Sequence, residues 1–275
     1  MILTFSLLVL LAIVAGFVGA LLGLGGGIIL VPGLTLLFHY DMKIAIAASL
    51  ISVIATSSAA ATVYVAERFT NIRLGMLLEM ATTSGALLGG FAAVNVPSRY
   101  LFFAFAAVLV YAGIFMLRGQ RTSSEPVEIG RPVEGLSDSY HDPAIGAEVS
   151  YVVTHVPAGL LGSFGAGAIS ALLGVGGGII KVPLMNLVMR IPMKAAIATS
   201  NFMIGVTAAT GALVFWASGK IDPHIAAPSA IGVLIGARIG TTVTGRARSR
   251  ALSIAFVILL AITAVQMTLR GLGIG

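Results

Sequence analysis

The sequence predicts an all-α polytopic membrane protein made of two inverted repeats. Each repeat has about four long transmembrane helices plus a short half-helix that follows a knot of glycines. Three observations carry this prediction. Apolar residues make up 58% of the 275 residues and charged residues only 9%, where a soluble domain carries about a quarter. The stretch GLGGGIILVP at 23–32 returns as GVGGGIIKVP at 174–183, identical at eight of ten positions. The apolar runs are long and do not alternate with polar residues, which favours helices over a membrane barrel.

The repeat extends well beyond the knot. At an offset of 151 and without gaps, Gly16 meets Gly167, Lys43 meets Lys194, Ser49 meets Ser200 and Thr56 meets Thr207. Gly85 and Gly89 meet Gly236 and Gly240, and Ser98-Arg99 meets Ser249-Arg250. Such internal duplication is characteristic of transporters.

The elements follow in order. The first repeat, 1–118, reads as apolar segments at 2–22, 28–39, 43–66, 73–95 and 99–118. The second repeat, 153–275, reads as 153–173, 179–190, 194–218, 223–245 and 251–271. Segment 2–22 could pass for a signal peptide, but no basic residue precedes it and it has an internal counterpart. The second segment of each repeat spans only ~18 Å at 1.5 Å per residue, short of the ~30 Å hydrocarbon core. Between the repeats, 119–152 holds Glu125, Glu128, Glu134, Asp138, Asp142 and Glu148 among prolines and serines. It is expected to be a solvent-exposed linker with no fold of its own.

Charge sets the expected orientation. If each half-helix turns back, one side receives Arg68, Arg73, Arg118, Arg121, Arg131, Arg190, Lys194, Arg246, Arg248 and Arg250. The other side receives Lys43, Arg99, Lys220 and Arg270. If the first two segments were a single span, the same residues would divide evenly. The positive-inside rule selects the first arrangement, with both termini outside and the linker in the cytoplasm. The net charge of +6 is thus assigned to topology, and no nucleic-acid partner is expected.

Two cations remain inside the membrane. Lys181 stands where the first knot has Leu30, two residues into the second half-helix. A lysine at that depth is costly and usually functional. Beside a helix N-terminus it is also electrostatically unfavourable unless an anion lies between. Arg238 has Leu87 as its counterpart, and Glu79 has Ala230. Both charges lie on the fourth helix of their repeat at matching depth, so a Glu79–Arg238 ion pair or gate is expected. Glu79 is also the one acidic residue well inside an expected span, which makes it the candidate for a proton.

The expected anion path joins the knots, Gly25, Gly26, Gly27, Gly176, Gly177 and Gly178, with the hydroxyl faces of the third helices. Glycines there allow positive φ and free amide N–H groups. Ser49, Ser52 and Thr56 share one helix face, and Thr199, Ser200 and Asn201 stand in the second copy beside Thr207. Small-residue packing is the bland alternative for both features.

The doubled G-x-GGG-x-x-x-x-P knot, the small-residue helix after it and the duplicated half resemble the TauE/SafE sulfite exporter family of membrane anion transporters. The resemblance covers nearly the whole chain apart from the linker. It implies a secondary carrier, an exporter, for a small organosulfur or carboxylate anion such as sulfite or sulfoacetate. An anion channel is the alternative. An enzyme is disfavoured, because there is no nucleophile–base pair at helical spacing and no HExxH. A scaffold without cargo is disfavoured by the intramembrane charges. With no cysteine, no histidine ligand spacing and no GK[ST] after the knots, neither metal, cofactor nor ATP is expected. The expected partners are the anion and the bilayer, and the sequence leaves a homodimer open.

Overall fold

The computed structural model describes residues 2–22, 25–118, 135–142, 146–243 and 250–274. Gly23 of the first knot lies outside these residues, as do Arg121, Glu125, Glu128, Arg131, Glu134, Arg246 and Arg248 of the connections. The first half contains α1 (Ile2–Leu22), α2 (Gly27–Pro32), α3 (Met42–Ala66), α4 (Ile72–Asn95) and α5 (Ser98–Arg118). The second contains α6 (Val156–Leu173), α7 (Gly178–Pro183), α8 (Met193–Ala217), α9 (Pro223–Val243) and α10 (Arg250–Gly271). Between them lie strands β1 (Asp138–Asp142) and β2 (Ala147–Tyr151). Among the described residues, α3, α4, Ser98–Met116 of α5, α6 and α8 are long and apolar enough to cross a membrane. Helices suit that setting because they satisfy their own backbone groups without water.

The short helices repeat down to their terminations. Helix α2 continues as a π-helical turn, Gly33–Leu37, and α7 as Leu184–Val188. Pro32 and Pro183 sit at these junctions. Proline has no N–H to donate, so the regular ladder is interrupted there. Both turns close alike: the Tyr40 N–H donates to Leu34 O at 3.1 Å, and the Ile191 N–H to Met185 O at 2.9 Å. His39 and Arg190 then take left-handed backbone, φ 57° and 59°. Side-chain caps start α3 and α4 in the first half and α9 in the second, where Asp222 accepts from the His224 N–H at 2.9 Å. Asp41 accepts from the Lys43 N–H at 2.8 Å and Asn71 from the Leu74 N–H at 3.0 Å.

Helices α3 and α8, equivalent by the offset of 151, run antiparallel. Late in α3, the Ser57 hydroxyl donates to Asn201 O, early in α8, at 2.5 Å. Early in α3, Leu50 packs on Gly211, late in α8. The halves also exchange partners. Helix α4 packs on α6, and α1 on α9. The glycines Gly85 and Gly89 face the Phe164 and Ala168 carbonyls, and Gly236 and Gly240 face those of Ile13 and Phe17. These are the same contacts displaced by 151 positions. Small residues permit this close backbone approach, which is how helices pack in lipid.

The expectation of an unfolded linker is corrected. Strands β1 and β2 form an antiparallel hairpin in which Asp138 pairs with Tyr151 and Asp142 with Ala147. Tyr140 and Tyr151 are buried in a cluster with Leu74, Leu78, Met189 and Ile191. The hairpin therefore grips both halves. Asn71 Nδ2 donates to Leu136 O at 2.9 Å, and Lys194 Nζ meets Asp142 Oδ1 at 2.5 Å. The overall composition of 119–152 is polar, and it hides the one tyrosine that each strand buries, Tyr140 and Tyr151.

Burial pushes the Tyr151 phenol up to about 12; the hydrogen bond with Asn71 opposes the shift, and Asp138 and Tyr140 add to it. A raised phenol favours the folded state fully below its ordinary value of 10.0. That contribution is lost as pH rises from there through about 12. Alkaline titration of tyrosinate absorbance should show a late component near 12, coincident with release of the hairpin. Tyr151→Phe should remove that component.

Candidate functional site: a buried ion pair between the halves

The two knots adopt the backbone that only glycine takes freely. Gly25 and Gly26 have φ 78° and 77°, and Gly176 and Gly177 have 82° and 72°. Gly26 and Gly177 are the N-terminal residues before α2 and α7, and neither start has a side-chain cap. The knots do not enclose an open space. A Cβ on Gly27 would stand 2.0 Å from Gly174 O, and Ser49 Oγ donates to the same carbonyl at 2.6 Å. The first knot is thus packed directly against the second, and Ser49 ties α3 to the second knot.

The hydroxyl faces divide. Ser52 and Thr56 donate back to Ala48 O and Ser52 O of their own helix, each at 3.0 Å. Thr199 Oγ1 accepts from the Asn71 N–H at 3.0 Å and so holds the start of α4. Ser200 Oγ and Asn201 Oδ1 are buried and have no hydrogen-bond partner among the described residues. Ser163 and Ser170 of α6, not anticipated from the sequence, are in the same condition. Ser170 Oγ lies 3.3 Å from where a Cβ on Gly177 would stand, at the second knot.

Lys181 is 1% exposed, and its ammonium is 3.6 Å from Glu79 Oε2. Lys181 Nζ donates to Thr207 Oγ1 at 2.7 Å, and the Thr207 hydroxyl donates to Glu79 Oε1 at 2.7 Å. Thr82 and Thr83 reach the two carboxylate oxygens at 3.1 and 3.3 Å. Glu79 therefore pairs with Lys181, which corrects the expected Glu79–Arg238 pair. Arg238 lies on the exposed side of α9. Equal depth on two fourth helices did not imply a shared face, because α4 packs on α6 and α9 on α1. The bridging role of Thr207 was missed. No spacing signals it, because Thr207 lies on α8; the Glu79, Thr82, Thr83 spacing marks only the hydroxyls that share a face of α4 with the carboxylate.

This cluster spans the halves: α4 supplies Glu79, while α7 and α8 supply Lys181 and Thr207. At the positions related to these by the offset of 151 stand Leu30, Ala230 and Thr56. Coulomb attraction at this separation is about 4 kcal/mol at an effective dielectric of ~20. Desolvating both ions costs several kcal/mol each. Such a pair adds little net stability, so its retention points to a use other than holding the fold.

Residues 8–267 match the family described as Sulfite exporter TauE/SafE. The chain is 27% identical to the probable membrane transporter protein YunE of Bacillus subtilis, over 98% of this chain and 99% of that one. It is 23% identical to a probable membrane transporter protein of Methanocaldococcus jannaschii, over 96% and 95% of the two chains. A probable membrane transporter protein of Xylella fastidiosa is 25% identical over 84% and 81%. No solved structure matches the chain.

Proposed function

The chain belongs to the sulfite exporter TauE/SafE family and is a multi-pass membrane transporter, and from that premise we propose that it is a secondary carrier of a small organosulfur or carboxylate anion. Sulfite and sulfoacetate are the first candidates, with export the expected direction. The carrying observation is Lys181, a cation buried beside a glycine knot at the junction of the halves. Ser170, Ser200 and Asn201 supply buried polar atoms nearby in sequence and fold that have spare hydrogen-bonding capacity. The closure around Lys181 favours a carrier over an open channel. Alternating access would come from one half moving against the other as inverted repeats, a reading supported by the antiparallel α3 and α8. The protein would sit in the inner membrane with both termini outside and the hairpin cytoplasmic.

Thermal unfolding of the purified protein across a panel of small anions tests this. A ligand that binds only the folded state raises the midpoint by mass action. One anion should stabilise the wild type and lose that effect in Lys181→Ala. Equal stabilisation of both proteins would remove Lys181 from the site.

A further inference from the structure

The pair is electrically neutral because Glu79 supplies the negative charge. Its carboxylate takes the position beside Lys181 that an anionic cargo would need, 3.6 Å from the ammonium. The surroundings offer no substitute. Helix α6 carries no ionisable residue, and α7 carries none besides Lys181. Helix α8 carries one, Lys194, which meets Asp142 at the opposite end from the tip of the helix. What faces the pair from α8 is the Thr207 hydroxyl, and α6 brings the buried hydroxyls of Ser163 and Ser170.

An anion entering beside an ionised Glu79 would leave a buried site with net negative charge, which low-dielectric surroundings strongly disfavour. Protonating Glu79 removes that excess. The carboxylate is also the less enclosed partner, since Glu79 is 8% exposed against 1% for Lys181. We propose that Glu79 is the coupling carboxylate of the carrier: it neutralises Lys181 while the site is empty and takes one proton when a monovalent oxyanion displaces it. Anion and proton then cross together, no net charge moves, and export runs when the internal excess of anion outweighs the inward proton gradient. On release the proton leaves with the anion and Glu79 returns to Lys181. Thr207, which accepts from the lysine and donates to the carboxylate, holds Lys181 in place through the exchange. This inference rests on the carrier reading above.

The test uses the full chain in liposomes with an internal pH-sensitive dye. Labelled sulfite is one probe. Labelled isethionate, a sulfonate that stays ionised, is the other, and protein-free vesicles give the background. For whichever probe is carried, an outside-acid gradient should drive accumulation in the wild type, with proton entry matching anion entry. Glu79→Gln should keep exchange of internal for external anion yet lose gradient-driven accumulation and its pH dependence. Glu79→Asp should retain coupling. Wild-type flux without matching proton entry overturns the inference and leaves the carrier standing, and so does gradient-driven accumulation by Glu79→Gln equal to wild type. If Glu79→Gln does not fold, the wild-type proton measurement still decides. Carriage of neither probe by the wild type overturns the carrier reading for these anions, and the inference with it.

Discussion

Lys181→Met is expected to abolish anion flux and to lower the unfolding free energy by about 3–5 kcal/mol, the usual cost of leaving one partner of a buried pair uncompensated. The loss falls on Glu79, whose carboxylate would remain 8% exposed with only threonine hydroxyls around it. Adding Glu79→Gln should therefore restore most of the stability while leaving flux absent. That divergence separates the structural from the transport role of the lysine. Denaturant unfolding of the wild type, both single variants and the double variant gives the coupling energy directly. A stability-neutral Lys181→Met would mean that the pair is not held as described.

Gly27→Ala should be strongly damaging to the protein's centre. The added Cβ would stand 2.0 Å from Gly174 O and 2.7 Å from Ser49 Oγ. A backbone carbonyl cannot swing aside as a flexible side chain can, so the cost should reach or exceed the roughly 1–3 kcal/mol typical of overpacking. The Ser49 to Gly174 hydrogen bond would be lost as the knots separate. Gly165→Ala is the control. Nothing lies within 4 Å of its Cβ position, and a helical glycine replaced by alanine gains about 0.5–1 kcal/mol. Folded yield and thermal midpoint of the two variants compare them.

The elements were legible because their signals are local. The short segments expected at 28–39 and 179–190 appear as Gly27–Leu37 and Gly178–Val188, bounded by glycine and held short by proline. The burial of Lys181 was legible from the cost of a charge in an apolar run. Its partner was not, because pairing depends on which helix lies against which. The exchange of α1 and α6 between the halves leaves no trace in spacing alone. The hairpin escaped because its stability comes from packing on Leu74 and Met189 rather than from its composition. Ser49 was read as a ligand for an anion; its hydroxyl donates to Gly174 O, a contact that a hydroxyl's position in sequence does not foretell.

That exchange of helices bears on ancestry. Helix α1 closes on α9 and α4 on α6, so neither half can cover its own glycine faces. A single ancestral copy could have been stable only by pairing with a second copy lying the other way in the membrane. While both copies came from one gene, any charge acquired at one central position would have appeared twice. In a single chain the two halves can differ, so Lys181 stands opposite Leu30 and Glu79 opposite Ala230, giving a centre with one charged pair instead of two.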